Sequence, residues 1–291
     1  LLKIFIFYSI LSLIYFTLLN ISGVRLFNSL NLTMTLVSNG GFLPSDSLND
    51  IIVTNFQKII LIIILIFSML NFYFLFNIFN RRAFFKSHNE DFYLLVIAAF
   101  FVLLIYFNDF EGLDIITSVL SSLTNSGITL LETNNNLSLY FLLLTIVGGS
   151  LISNTSGIKL SRFYILLKIT AAEIIKLISP NSVINKTIFN SESKINEDNI
   201  KISFLIFISF FFSLFILSSF LILDNIGFEG SFKLSILTLT NTVNSEMYSL
   251  QDLNFADLLT SSKISLIIFM IIGKIELVSI FLIIKKILFK D

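Results

Sequence analysis

A short apolar segment, residues 113–123, ends in Thr124-Asn125-Ser126-Gly127-Ile128 and lies between two longer apolar runs. A membrane-spanning helix needs about 20 apolar residues, and this segment falls well short. Closed by small polar residues and a glycine, it predicts a chain that dips into a bilayer and returns. Irregular backbone at membrane depth is tolerated only where protein buries it or water lines it. The pattern recurs: Ser38-Asn39-Gly40-Gly41-Phe42 follows residues 26–37, and Thr240-Asn241-Thr242-Val243-Asn244 follows residues 232–239. Three copies of Ser/Thr-Asn-x-(Gly or Val), each between long apolar runs, predict a pore whose narrow ring is assembled from repeats of one chain. The competing reading is three plain interface turns, which the shared Ser/Thr-Asn lead-in disfavours.

Composition agrees. Hydrophobic residues make up 55% of the chain and charged residues only 13%, against roughly 25% charged in soluble domains; the mean hydropathy is +0.92. The chain therefore reads as an all-α polytopic membrane protein in contact with a lipid bilayer. A formal net charge of zero argues against nucleic acid as a partner. With no cysteine, disulfides, thiolate metal sites and cysteine nucleophiles are excluded together. No enzymatic site and no cofactor are expected. The chain opens at Leu1 inside an apolar run, with no charged region or cleavage site ahead of a mature domain, so a preceding segment is expected rather than a signal peptide.

Long apolar runs cover residues 1–20, 56–79, 92–107, 137–178, 200–223 and 264–288, the fourth long enough for a broken helix. Six spans put both ends on one side. The loops carrying the tips hold acids such as Asp46, Asp50, Glu111, Asp114, Asp224 and Glu246, whereas Arg81, Arg82, Lys86, Lys168, Lys176, Lys186 and Lys286 lie on the other side. By the positive-inside rule the tips face outward and both termini are cytoplasmic. The outward acids either concentrate cations at a mouth or serve as ordinary loop solvation. Four units follow: a repeat at 1–80, a second at 81–178 with a broken second span, a cytoplasmic linker at 179–199, and a last repeat at 200–291. His88, the single histidine, falls in the 80–91 loop and is expected to be solvated.

Three groups carry the chemistry. At the tips, rings of backbone carbonyls replace the hydration shell of a cation, and Gly41 and Gly127 allow the positive φ that turning successive carbonyls inward requires. The cluster Gly148-Gly149-Ser150-Leu151-Ile152-Ser153-Asn154-Thr155-Ser156-Gly157-Ile158-Lys159 should break a helix at membrane depth and form a mobile plug below the ring, rather than a simple turn outside the membrane. Gly273-Lys274-Ile275-Glu276 puts ionisable groups inside the last span, where they face a cavity or a partner. Two residues apart, Lys274 and Glu276 point about 200° from each other on a helix and need different partners.

These motifs resemble the Trk/Ktr/HKT superfamily of potassium transporters, and in particular the bacterial TrkH-type potassium uptake proteins. The matching stretches are 31–42 with Ser45-Asp46, Asn71-Phe72, Gly148-Gly149-Ser150 through Gly157-Ile158-Lys159 with Arg162, and Gly273-Lys274-Ile275-Glu276. The resemblance implies four span, pore-helix, span units around a pseudo-fourfold pore, of which this chain supplies the second, third and fourth. It implies a selectivity filter at Ser38, Asn39, Gly40, Gly41, at Thr124, Asn125, Ser126, Gly127 and at Thr240, Asn241, Thr242, Val243. The substrate potassium ion would be held by the carbonyls of Asn39, Gly40, Asn125, Ser126, Asn241 and Thr242. It also implies a gate at Gly148, Gly149, Ser150, Ser153, Asn154, Thr155, Ser156 and Gly157, and a pore-facing cation at Lys274 in place of the family's arginine. Expected partners are a second copy in a homodimer and a cytoplasmic nucleotide-binding regulatory subunit of the TrkA type, meeting the basic loops at 80–91 and 179–199, in a bacterial inner membrane.

The chain departs from the family at Val243, where the fourth filter carries glycine. A β-branched residue does not readily take positive φ, so this tip is either strained or extended. A sodium-permeable or non-selective transporter is the alternative function. A non-transporting membrane subunit belongs to a different class, and a proton-coupled transporter would draw on Glu173 and Glu276.

Overall fold

Long runs of Leu, Ile and Phe without interior proline favour helix over any other way of satisfying backbone polar groups in an apolar solvent. The computed structural model describes residues 2–45, 47–72, 74, 88–107, 111–131, 137–180, 182, 187–189, 194–224, 226–250 and 255–275, and among these the regular structure is helical. The helices are α1 (Leu2–Ile21), α2 (Leu26–Ser38), α3 (Asn55–Met69), α4 (Asn89–Tyr106), α5 (Gly112–Thr124), α6 (Ser138–Val147), α7 (Leu160–Ile178), α8 (Glu197–Ile222), α9 (Phe228–Leu239) and α10 (Thr260–Ile275). α4 and α8 are long and apolar enough to cross a bilayer. The short helices α2, α5 and α9 each follow a longer one; α2 and α9 also precede a longer one, whereas α5 is followed by the 10-residue α6, the first piece of the broken 137–178 run.

Local signals set several boundaries. Thr54 and Gln57 form a capping box at the start of α3, with the Gln57 amide N–H donating to Thr54 Oγ1 at 3.3 Å and the Gln57 side chain accepting from the Thr54 N–H at 3.1 Å. Hydroxyl residues inside the apolar helices return their O–H to the preceding turn, as Ser29, Ser68, Thr145 and Ser235 do. That satisfies them without water and leaves the helix compatible with lipid.

α5 lies at the centre, packed by α3, α4 and α6, while α9 packs on α8, α10 and α6. Its buried residues run around the helix: Ile115, Val119 and Leu123, but also Ser118, Ser121 and Ser122. A helix buried on every side has protein, not lipid, as its surroundings. The outer helices instead expose Phe5, Leu13, Val96, Leu103, Phe212 and Phe215, an apolar belt of the kind lipid covers. The ends of the runs at 56–79 and 264–288, together with Asp46, Arg81, Arg82, Lys86, Lys186, Glu276 and Lys286, lie outside the described residues.

Three expectations change. His88 is not a solvated loop residue: it is 2% exposed, its Nδ1 lies 2.8 Å from Asp91 Oδ2, and its ring meets Phe74 edge-on at 5.1 Å. Glu111 and Asp114 are not free acids of a mouth, because Lys58 holds both, at 3.3 and 2.6 Å, and so ties the start of α3 to that of α5. Asp224 receives the Leu259 N–H at 3.0 Å and Asp50 caps Ser47. Glu173 is an exposed partner of Lys176 at 3.4 Å, and the buried acid is Asp91 instead.

Candidate functional site

The three tips share one backbone solution. Asn39, Asn125 and Asn241 take left-handed φ values of 53°, 61° and 52°, a conformation asparagine tolerates better than other residues with a Cβ. The next residue then donates its N–H five residues back: Gly40 to Thr35 at 2.9 Å, Ser126 to Ser121 at 3.1 Å, Thr242 to Leu237 at 2.9 Å. This is the Schellman ending of a helix, repeated at the C-termini of α2, α5 and α9. None of the three helices has a basic residue in its own last turn, so their negative ends are not neutralised from within; the end of α2 instead meets the Lys274 ammonium of α10 at the Ser38 carbonyl. Cations are favoured there.

Two residues beyond each asparagine the tips diverge. Gly41 and Gly127 have φ of 75° and 74°, whereas Val243 keeps a negative φ. The valine is therefore not strained, and of the two readings left open by the sequence the tip without left-handed backbone at 243 is the one adopted. The three tips are brought together: a Cβ on Gly41 would lie 1.8 Å from the Ser126 carbonyl oxygen, and one on Gly127 would lie 2.3 Å from that of Val243. Neither position admits a side chain. Among the described residues none donates a hydrogen bond to the carbonyls of Asn39, Gly40, Asn125, Ser126, Asn241 or Thr242. A cavity of about 230 Å³ is lined by the residues that follow each tip, including Ser45, Thr129 and Glu246.

Asparagine side chains fasten two tips to the next span. Asn125 donates Nδ2 to the Thr145 carbonyl of α6 at 2.8 Å, and Asn241 to the Met270 carbonyl of α10 at 2.9 Å. In both helices a glycine stands three residues later, Gly148 and Gly273. Gly273 has the Leu239 carbonyl 2.1 Å from its Cβ direction, and Gly148 has Asn125 Oδ1 at 3.5 Å. Asn39, 2% exposed, has no hydrogen-bond partner among the described residues for either side-chain polar atom.

The loop between α6 and α7 is a built structure. Gly148 and Gly157 take φ of 68° and 82°, the Ile158 N–H donates to the Ile146 carbonyl at 2.9 Å, and the Gly149 N–H to Thr155 Oγ1 at 3.0 Å. Lys159 coils over it, donating to the carbonyls of Ser153 (3.1 Å) and Thr155. The loop also pairs with the end of α3, Ser150 N–H to the Met69 carbonyl and Phe72 N–H to that of Ile152, both at 3.0 Å. Its apex, Asn154, reaches the first tip: Nδ2 donates to the Val37 carbonyl at 2.6 Å, Oδ1 accepts from Tyr8, and the backbone carbonyl accepts from Lys274 Nζ at 3.2 Å. Lys274 also donates to the Ser38 carbonyl at 3.3 Å, beside a groove of about 750 Å³ between the first and third tips.

Every residue singled out at the tips, in the loop and at Lys274 thus falls in one connected region. Sequence reasoning missed Glu90, whose Oε1 accepts the N–H groups of Leu151 at 2.9 Å and Ser161 at 3.2 Å, and Asp91, which accepts the Asn71 N–H at 2.9 Å. Their signal was two carboxylates opening an apolar run, which reads equally well as favourable charge at a helix N-terminus.

No protein-family model matches the chain. It is 28% identical over 310 aligned positions to an uncharacterized cation transporter of Methanocaldococcus jannaschii, with 99% of this chain and 59% of that protein covered. The crystal structure of the potassium transporter TrkH from Vibrio parahaemolyticus superposes with a TM-score of 0.87 at 18% identity, over 97% of this chain and 63% of that one. The chain therefore spans about three fifths of the length of both proteins. It is a helical membrane protein with the Trk-type fold, which its tips, the loop between α6 and α7, and α10 resemble in sequence.

Proposed function

We propose that the chain is the larger part of a cation-conducting subunit that moves potassium inward, with the three asparagine tips as its filter and the 148–157 loop as its gate. The observation that carries this reading is the threefold repetition of one turn. Three short helices end at tips that touch one another, and among the described residues six carbonyls there have no protein donor. Such an arrangement suits a dehydrated monovalent cation. Ion transport is supported by the cation-transporter relative and by the fold; an inside-negative membrane potential contributes about 2.3 kcal/mol per charge per 100 mV.

In this reading three span, short-helix, span units occupy three quarters of a ring, with boundaries near 80/81 and a linker at 179–199, and the protein works in a bacterial inner membrane as a homodimer with a TrkA-type regulatory subunit. The negative φ of Val243 favours one variant of the reading, a pore that admits sodium beside potassium. The test is flux through the purified natural full-length protein in liposomes under opposed potassium and sodium gradients. Potassium current with a reversal potential near the potassium equilibrium value supports the reading. A potential midway points to the less selective pore, and no current at all overturns both.

A further inference from the structure

Three consecutive side chains at the start of α4 each hold a different segment. Asn89 donates Nδ2 to the Phe189 carbonyl at 3.0 Å, Glu90 accepts the N–H groups of Leu151 and Ser161, and Asp91 accepts that of Asn71. Leu151 lies at the entry to the intramembrane loop and Ser161 in the first turn of α7, so one carboxylate oxygen pins the loop at both ends. Ser161 N–H is among the helix-start donors that lack an intrahelical acceptor, and a backbone donor at membrane depth needs a partner. A carboxylate supplies the strong, charge-assisted kind. Phe189, the segment held by Asn89, stacks on Tyr164 with ring centres 4.2 Å apart and also meets Tyr93 at 5.1 Å.

We propose that Glu90 is the positioning residue that holds the intramembrane loop beneath the tips, and that Asn89 links this clamp to the segment at Phe189. The inference rests on the loop being the gate. Its clamp is a separate claim about which acceptor orders the loop. A movement of the Phe189 segment would be passed through one helical turn to the residues that fix both loop ends.

The experiment uses the natural full-length protein with Glu90→Ala, Glu90→Gln and Asn89→Ala, reading amide hydrogen exchange across residues 149–162 together with potassium flux and the potassium-to-sodium reversal potential. Glu90→Ala should speed exchange at Leu151 and Ser161 about tenfold, as expected for loss of a charge-assisted bond. Flux should rise several-fold and ion preference stay fixed. Glu90→Gln keeps an acceptor oxygen and should stay nearer wild type in all three readouts, which guards against a variant that merely misfolds. Asn89→Ala should loosen the Phe189 segment and raise flux less. Unchanged exchange in Glu90→Ala, or glutamine behaving like alanine, overturns the clamp. Faster exchange with unchanged flux in a conducting protein overturns the link from clamp to gate. Faster exchange in a protein whose wild type conducts nothing overturns the function proposed above while leaving the clamp standing.

Discussion

Lys274 joins the loop between α6 and α7 to the first tip: its ammonium donates to the Asn154 carbonyl at 3.2 Å and to the Ser38 carbonyl at 3.3 Å. A charge carried on α10 thus sits between a residue of the proposed gate and a residue of the proposed filter.

Removing that charge should free the apex of the loop. Hydrogen bonds to charged groups are worth about 1.5–3 kcal/mol when well buried, and this one borders an open groove, so the lower end applies. Lys274→Gln is expected to raise potassium flux several-fold, and Lys274→Arg, which keeps the charge with more donors, to stay close to wild type. Radiolabelled rubidium uptake measures both. A fall in flux for Lys274→Gln with retained folding would mean the lysine helps ions through rather than holding the loop.

Gly41→Ala and Gly127→Ala should abolish conduction. Each puts a methyl group within 2.3 Å of a neighbouring tip's carbonyl oxygen at a positive φ, with about 1–2 kcal/mol for the backbone alone. Gly40→Ala is the internal control: its nearest neighbour is the Ser38 hydroxyl at 3.1 Å, without a positive φ. It should retain flux. Equal loss in all three would show sensitivity of the segment rather than of these two contacts.

Val243→Gly relieves no strain, because the valine already has a negative φ. Glycine adds chain freedom, which costs roughly 0.5–1 kcal/mol, so the melting temperature should fall slightly. It also permits the turn that Gly41 and Gly127 adopt, and preference for potassium over sodium should rise. The reversal potential in mixed salts decides; an identical value for both proteins would remove Val243 from the ion path.

Asparagine-to-glycine substitutions keep the left-handed turn and delete only the side chain. Asn125→Gly strips the donor from the buried Thr145 carbonyl, at about 1–3 kcal/mol if that group stays unpaired, and Asn241→Gly removes a more exposed bond to the Met270 carbonyl of α10, at less cost. Asn39→Gly removes a side chain with no partner among the described residues and should cost distinctly less. Thermal unfolding of the three variants in detergent orders them; a first-tip variant as unstable as the other two would mean Asn39 is engaged as they are.

What nearest neighbours govern was legible in the chain before folding. Run lengths marked α2, α5 and α9 as short, and Ser/Thr-Asn marked where each ends in a left-handed turn, because that turn is fixed by sterics within a few residues. The glycine and serine cluster after Val147 marked the break between α6 and α7 for the same reason. Tertiary structure alone decided what those parts touch. The bonds from Glu90 to Leu151 and Ser161, separations of 61 and 71 residues, leave no periodic trace. His88 looked like a loop residue because its burial against Phe74, which lies beyond the end of α3, depends on tertiary packing. Val243 carried its departure from glycine openly, but only the folded chain shows that its carbonyl lies against Gly127 and that its φ is not positive. Local sterics are written in adjacent residues, whereas a hydrogen bond between distant segments depends on the packing of helices that no single stretch encodes.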